Sequence, residues 1–461
     1  GLFLVYFWFT IGLFLVYSWF IFEINQISLK SFGHWKLDIQ YARFTCTKTF
    51  SAAFINFCPI IAPFLSPKFE RNVWYRFCVN DCKKSSGDLS TTCRVSVDID
   101  VGGNTANYVF IAKLLPADDP GRVYVFESNV FEKEISIYFE LLPCLRQFCE
   151  GTKLEKLMLN RVPECIYGSN NCDGAGVLVF ECAREKGFLH PVDPEGLSLD
   201  QVLSTVKFMA KFHAIGSALL ITKGKLLNLR YPFLSSNVYS SPLSQQGAKS
   251  MFATYTEFLQ SVSGEAELHK KFIKYCEEDC AAKEMFTCLR RQIDSPFNTI
   301  IHGELWEKNM LFGSQEAADA EVPSIILDWK NAKIASATKD LAFLLLSSTT
   351  NQLRQEFLVD ILKTYHTIFC KSLNILGVNT ADCQGLSYEE FFADYAMSTK
   401  GAFLQSVCVL VQEMSFMKNQ MTEDGDSATE EQELSLTVYE RRALNLMNDE
   451  VLNITHFSSP Q

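Results

Sequence analysis

The sequence predicts an α+β protein of two lobes, on three observations. Strand-type alternation of apolar and polar residues crowds positions 73–116, one amphipathic helix follows at 122–145, and beyond residue 183 the apolar positions recur at helical spacing. The length of 461 residues suits two or three domains, or one large two-lobed unit. A charged fraction of 21% beside an apolar fraction of 48% argues against disorder over most of the chain. The formal net charge of −11 removes the broad basic footprint of a nucleic-acid binder, so no nucleic-acid partner is expected.

The chain opens on an uncharged tract, GLFLVYFWFTIGLFLVYSWFIF (1–22), in which GLFLVYFWF (1–9) returns as GLFLVYSWF (12–20). As a helix this tract would be about 33 Å long, enough to cross a bilayer. Lys30, Lys36, Arg43 and Lys48 follow it and would put the rest of the chain on the cytoplasmic side. A cleaved signal peptide is disfavoured, since no basic region precedes the apolar run. The first residue, Gly1, and the repeat itself leave a second reading open, a tract that is not native sequence. A membrane partner is expected only if 1–22 is a genuine anchor; the remainder is expected to be cytoplasmic. Residues 23–70 form an N-terminal extension without an assigned fold, its apolar stretch Thr49–Pro67 broken by Asn56, Pro59 and Pro63.

The first lobe is expected over 71–180. VWYRFCV (73–79) is a short strand, KKSSGDLST (83–91) a turn-rich loop and TCRVSVDID (92–100) an alternating strand. VGGNTAN (101–107) is a hairpin signal that returns into YVFIAKLLP (108–116). RVYVFESNVFEKEISIYFELLPCL (122–145) is a helix with Phe131, Ile135, Tyr138 and Leu142 on one face, and GVLVFECA (176–183) a strand with its exit. The second lobe, 181–461, is expected to hold helices at 199–220, 249–262, 268–293, 341–349, 357–376 and 430–452. The acidic run EDGDSATEEQE (423–433) is a solvated loop or helix start. The 16 cysteines are scattered, and pairs such as Cys276/Cys280 fall on one helix face; none makes a CxxC pair. They are expected to be reduced thiols, with no structural zinc.

The chemistry centres on TIIHGELWEKNMLF (299–312). An apolar run leads to His302, then Glu304 two places on, then Asn309 after four intervening residues. Kinase-type phosphotransferases use H-x-D-x-x-x-x-N, in which an acid orients the substrate hydroxyl and an amide helps hold magnesium. Nineteen residues after Asn309, the strand of SIILDWKNAKI (324–334) delivers Asp328 at its end, where a carboxylate can ligate Mg²⁺. The first lobe supplies two more parts. Lys113 lies inside an apolar strand, where an unpaired ammonium is costly, and Glu134 lies on the next helix, so the pair reads as a phosphate-holding cation and the acid that orients it. Gly87-Asp88, between the first two strands, is a thin glycine-rich loop. Trp306, Tyr388, Tyr395 and Phe403 are either acceptor-pocket lining or plain core.

Over roughly 73–450 the sequence resembles the ecdysteroid kinase-like (CHK kinase-like) family, relatives of aminoglycoside phosphotransferases and choline kinases. The resemblance rests on IIHGELWEKNMLF with Trp306, on ILDWKNAKIASATKDLAFLLLSST with Asp340-Leu341, on FEKEISIYFELLPCL, and on LSTVKFMAKFHAIGSAL with its K-x-H-A ending. It implies a bilobal protein-kinase-like fold: an N-terminal lobe of antiparallel sheet plus helix and a larger helical C-terminal lobe. It further implies ATP and Mg²⁺ as cofactors and a hydroxyl on a small molecule, sterol- or amino-alcohol-like, as acceptor. Backbone groups near Phe180, Glu181 and Cys182 would then meet adenine, and His302 and Asp340 would be structural. This chain has Glu304 where the family usually has aspartate, Glu181-Cys182-Ala183 for E-D-L, Asp328-Trp329-Lys330 for D-F-Q, and Leu89-Ser90 for N-Y. An ATP-dependent small-molecule kinase is the expected function. A catalytically weak pseudokinase that binds nucleotide or acts as a scaffold is the alternative, and a membrane-tethered structural protein a second competitor.

Overall fold

The structure, a computed structural model, describes residues 73–447 apart from 85–89, 102–103, 117–118, 157–160, 171–175, 236–241, 263–266, 278–279, 291–294, 315–320, 382 and 424–429, together with two short strands at 22–23 and 42–46. The expected anchor, apart from Phe22, and the glycine loop with Gly87 lie outside the described residues. Among the described residues, no helix is long and apolar enough to cross a membrane. The fold is of the α+β class, with a sheet in the N-terminal region and helices after it. Two compact units divide the chain: residues 1–85, 90–115 and 165–182, and residues 86–89, 116–164 and 183–461.

The first unit is a seven-stranded sheet of order β1-β2-β3-β4-β5-β7-β6. Its strands are β1 (Phe22–Glu23), β2 (Ala42–Cys46), β3 (Val73–Lys84), β4 (Thr91–Val101), β5 (Asn104–Leu114), β6 (Cys165–Asn170) and β7 (Gly176–Glu181). Pairing is antiparallel except between β2 and β3. On β4, Cys93, Val95, Val97 and Ile99 are buried and the residues between them are not, the period-two pattern of a strand with one face on a core. Cys93 lies opposite Ala112 and Val95 opposite Phe110, so the buried faces of β4 and β5 coincide. Val177, Leu178 and Val179 of β7 are all buried, as suits a strand with a neighbour on each side. β6 has no counterpart in the sequence reading. Its Gly168, Ser169 and Asn170 carry a turn signal, which an edge strand tolerates.

The second unit begins with a helical segment that the sequence presents as one helix and the structure breaks. Helix α1 (Asp119–Ser128) ends at Asn129, which takes a left-handed conformation with φ 52°, and α2 (Val130–Ser136) restarts after it. Asparagine adopts that region at little cost. A π-helical turn, Ile137–Leu141, then leads into α3 (Leu142–Phe148), whose second residue is Pro143. Proline has no N–H for the α-helical bond to the carbonyl four residues back, and the wider turn accommodates that loss. The run expected as one helix at 268–293 is likewise divided, into Glu267–Glu277 and Cys280–Arg290.

Helix α4 (Leu199–Arg230) starts in a capping box between Ser198 and Gln201 and runs past the expected end at 220, with a non-helical residue at Lys223. Later come α8 (Thr338–Ser348), α9 (Asn351–Ile375), α10 (Tyr388–Glu423) and α11 (Glu430–Met447), α5 to α7 being Pro242–Val262 and the two helices just named. The sequence reading has no helix for α10. Ala402, Phe403, Leu404, Val407, Leu410, Val411 and Met414 are all buried along it, so its apolar surface is broad and the narrow stripe of an exposed helix is absent. Among the described residues the cysteines are unbridged thiols.

Four short strands lie among these helices. β8 (Asn298–Ile301) pairs with β11 (Lys333–Ser336), and β9 (Met310–Phe312) with β10 (Ser324–Ile326), both antiparallel. Helix α4 lies directly on β8: the Thr299 hydroxyl donates to the His213 carbonyl at 2.6 Å, and Ser217 to the Asn298 carbonyl at 2.8 Å. Gly216 permits this approach, since a Cβ there would sit 2.4 Å from Thr299 Oγ1 and 2.9 Å from the Ile300 nitrogen. Gly216→Ala is therefore expected to destabilise the chain by about 1–3 kcal/mol by overpacking, read as a lower denaturation midpoint with an unchanged m-value.

Candidate active site

The two strand pairs bring two loops together, 302–309 between β8 and β9 and 327–332 between β10 and β11. Two hydrogen bonds tie them: Leu327 N–H donates to the Asn309 carbonyl at 2.9 Å, and His302 Nε2 meets the Leu327 carbonyl at 2.8 Å. The facing carbonyl requires the proton on Nε2, while Nδ1 accepts from the Glu304 N–H at 3.2 Å. The ring edge of His302 also meets Trp329, centroids 4.7 Å apart. Gly303 takes φ +87°, and a Cβ there would come within 2.4 Å of the Asn331 carbonyl oxygen. The loops pass too closely for any side chain at that point.

Asp340, on the first turn of α8 and only 1% exposed, anchors the first loop. It accepts from the backbone N–H of His302 at 2.7 Å, from that of Gly303 at 2.9 Å and from His213 Nε2 at 3.2 Å; His213 Nδ1 in turn meets the Tyr365 hydroxyl at 2.7 Å. Burial works against ionisation of Asp340, but the hydrogen bond from His213, the electrostatic influence of the His213 and His302 rings and the Gly303 N–H outweigh it and hold the carboxyl below its ordinary pKa. The far end of the loop is clamped by a buried bidentate pair, Arg442 Nη1 to Glu307 Oε1 at 2.6 Å and Nη2 to Oε2 at 2.8 Å. Gln405 of α10 donates to the Gly303 carbonyl at 3.2 Å.

Glu304, Asn309 and Asp328 thus belong to adjoining loops. The Asn309 amide nitrogen donates to the Glu304 carbonyl at 3.0 Å, which leaves the amide oxygen as its cation-binding end. Asp328 stands at the end of β10 in the left-handed region, with φ 62° and ψ 61°. Carboxylate and amide oxygens are the hard donors that Mg²⁺ takes, so these residues fit that ion. A cation of the chain itself already meets them: Lys330 Nζ donates to Asp328 Oδ2 and lies 3.8 Å from Glu304 Oε2. Helix α2 packs on the Trp329–Asn331 turn and brings Lys133 into the field of Glu304. Lys133 is 3% exposed, and among the described residues its Nζ has no hydrogen-bond partner. Burial pushes its pKa down to about 8, with the Glu304 charge working the other way.

Glu134 neighbours Lys133 on α2, buried in the second unit. Lys113 is half-buried in the first unit, on β5 opposite Thr92 of β4 and Leu178 of β7. Phe180, Glu181 and Cys182 stand at the end of β7 in the first unit, Phe180 and Cys182 buried. Of the other aromatic candidates, Tyr395 and Phe403 are buried in the core of α10. Sequence reasoning did not single out Lys133, His213 or Arg442 as individual site residues. His213 stood in the quoted K-x-H-A helix and Lys133 beside Glu134, whereas nothing local marks Arg442.

The ecdysteroid kinase-like family model matches residues 87–378. No curated protein sequence matches. Among solved structures, the chain is similar to a GDP complex of an aminoglycoside 2'-phosphotransferase-IIIa mutant, at 13% identity and a TM-score of 0.36 over 88% of this chain and 99% of that one. It is also similar to a microcompartment-associated aminopropanol kinase, at 13% identity and a TM-score of 0.35 over 85% of this chain and 95% of that one. A thermostable mutant of aminoglycoside phosphotransferase APH(4)-Ia follows at 12% identity and a TM-score of 0.28, over 80% and 94%.

The buried Lys133 ammonium has a pH signature. It loses its proton near pH 8 when folded and near its ordinary value of 10.5 when unfolded, so the unfolded chain holds more protons between those limits. Its cost to stability is complete below pH 8 and fades as pH rises to 10.5. Lys133→Met is expected to melt higher than the native chain at pH 7, by about 2 °C, with the gap closing at higher pH in a thermal-unfolding series.

Proposed function

We propose a phosphoryl-transfer function for this chain, which belongs to the ecdysteroid kinase-like family. The reading is an ATP-dependent kinase acting on a hydroxyl of a small molecule, of sterol or amino-alcohol type. The observation that carries it is the joining of the two loops through Leu327 and His302, with Glu304 of one loop and Asp328 of the other meeting the same ammonium, Lys330, and Asn309 on the Glu304 loop.

In this reading Asn309 and Asp328 hold magnesium through their side-chain oxygens, and the ion, when bound, neutralises charge on the phosphates. Glu304 accepts a hydrogen bond from the acceptor hydroxyl and takes its proton as the oxygen attacks. By the family resemblance, Lys113 is proposed for the nucleotide's phosphates with Glu134 as the acid of that motif, Gly87 for the phosphate loop, and the backbone at Phe180, Glu181 and Cys182 for adenine. Asp340 and His302 fix the loop that carries Glu304 and Asn309. Phosphoryl transfer asks for positioning and charge placement above all, and a rigidly anchored loop supplies the first.

A second reading is a nucleotide-binding protein of weak turnover. It is favoured by the extra methylene of Glu304 and by the Lys330 ammonium on Asp328. A screen of small alcohols with Mg·ATP, read as phosphorylated product, tests the first reading. With an acceptor in hand, Asp328→Asn and Glu304→Gln are each expected to lower kcat by about a hundredfold or more, measured on variants shown to be folded by their unfolding curves. A large gain in kcat for Glu304→Asp marks a weakened enzyme. Absence of Mg·ATP binding by calorimetry in the native chain contradicts both readings.

A further inference from the structure

We propose that Lys330 is a resident counter-cation of the site, an ammonium that joins Asp328 to Glu304 and that a divalent ion must displace. The proposal rests on the reading of Asp328 as a metal ligand. It adds that the protein carries its own competitor for that ligand.

Three features support it. The first is the contact itself: Lys330 Nζ donates to Asp328 Oδ2 and stands 3.8 Å from Glu304 Oε2, so one ammonium serves a carboxylate from each loop. Two carboxylates converging in a partly desolvated place repel each other unless a cation lies between them. The second is that Lys330 is held in place. It lies on the 3₁₀ turn Trp329–Asn331, directly after the left-handed Asp328. Trp329 at the start of that turn is pinned by its Nε1–H to the Ile326 carbonyl at 3.0 Å and by ring contacts with Phe212 and His302, each at 4.7 Å. The short i to i+2 separation across a fixed turn aims the ammonium back at the carboxylate. The third is burial. Lys330 is 8% exposed, so its pairing with Asp328 is little screened by solvent and competes with an incoming cation more effectively than a surface ion pair does.

A divalent ion and the ammonium claim the same carboxylate oxygen, so removing the ammonium frees the site. Mn²⁺ binding without nucleotide, read from the paramagnetic resonance of the free ion, measures the competition. Lys330→Gln is expected to bind Mn²⁺ about tenfold more tightly than the native chain, and the charge-keeping Lys330→Arg to stay within about threefold of it. Equal affinity in the native and Lys330→Gln chains overturns the proposal while leaving the phosphotransfer reading intact. Absence of Mn²⁺ binding from both chains, with or without ATP, overturns the proposal and the metal site together.

A measurement on the native chain removes any dependence on the folding of the variants. Release of Lys330 by Mn²⁺ is expected to speed its labelling by an amine-reactive reagent about threefold, read by peptide mass spectrometry. An unchanged labelling rate overturns the proposal.

Discussion

The geometry of the second unit depends on one buried carboxylate. Asp340 is closed off from water, and both of its oxygens are engaged, by the His302 and Gly303 N–H groups and by His213. Those donors serve two constraints. The backbone donors fix the start of the 302–309 loop, His213 fixes the loop to α4, and the position of Asp340 on the first turn of α8 fixes both to a helix whose core residues are nearly all buried. A carboxylate that accepts several charge-assisted bonds in a dry place resists any change that leaves one donor behind, because the loss then includes the desolvation of the orphaned group. The start of the loop is therefore held through its own backbone donors.

Around that anchor the charges are arranged in two shells with different characters. The outer pair, Arg442 with Glu307, is bidentate and buried, and it ties the far end of the loop to α11; Arg442 also donates to the Pro194 and Ser347 carbonyls. The inner group is less evenly matched. Lys330 meets two carboxylates, while Lys133 and Lys333 lie close enough for each other's charge to count. Burial pushes Lys333 down to about 7, with Lys339 and Lys133 adding to the effect and Asp340 and Glu304 opposing it. The outer pair is a closed interaction, whereas the inner group has cations whose charges burial disfavours. Under the phosphotransfer reading, such cations are ones that an anionic ligand would stabilise.

Much of this was open to a reading of the sequence, for local reasons. The alternation of β4, the hairpin to β5 and the amphipathic faces of α4 and α9 are short-range patterns, and so they show in the order of residues. His302, Glu304, Asn309 and Asp328 stood out because their spacing is fixed by loop and strand lengths. The rest has long-range causes. The breaks at Asn129 and before Pro143 interrupt a helix whose periodicity runs straight through them, and α10 hides its helical stripe because it is buried on most sides. Arg442 reaches Glu307 across 135 residues of chain, which no spacing rule can anticipate. The burial of Lys133 is of the same kind: the packing of α2 on the Trp329 turn, distant in sequence, accompanies its removal from water.

The central claim is that Asp340 holds the 302–309 loop through its backbone donors, and amide hydrogen exchange on an Asp340→Asn chain tests it most directly. The account predicts that the His302 and Gly303 amides lose protection by about tenfold or more while β4 and β5 exchange as in the native chain. Unchanged protection at those two amides in a folded Asp340→Asn chain would contradict it.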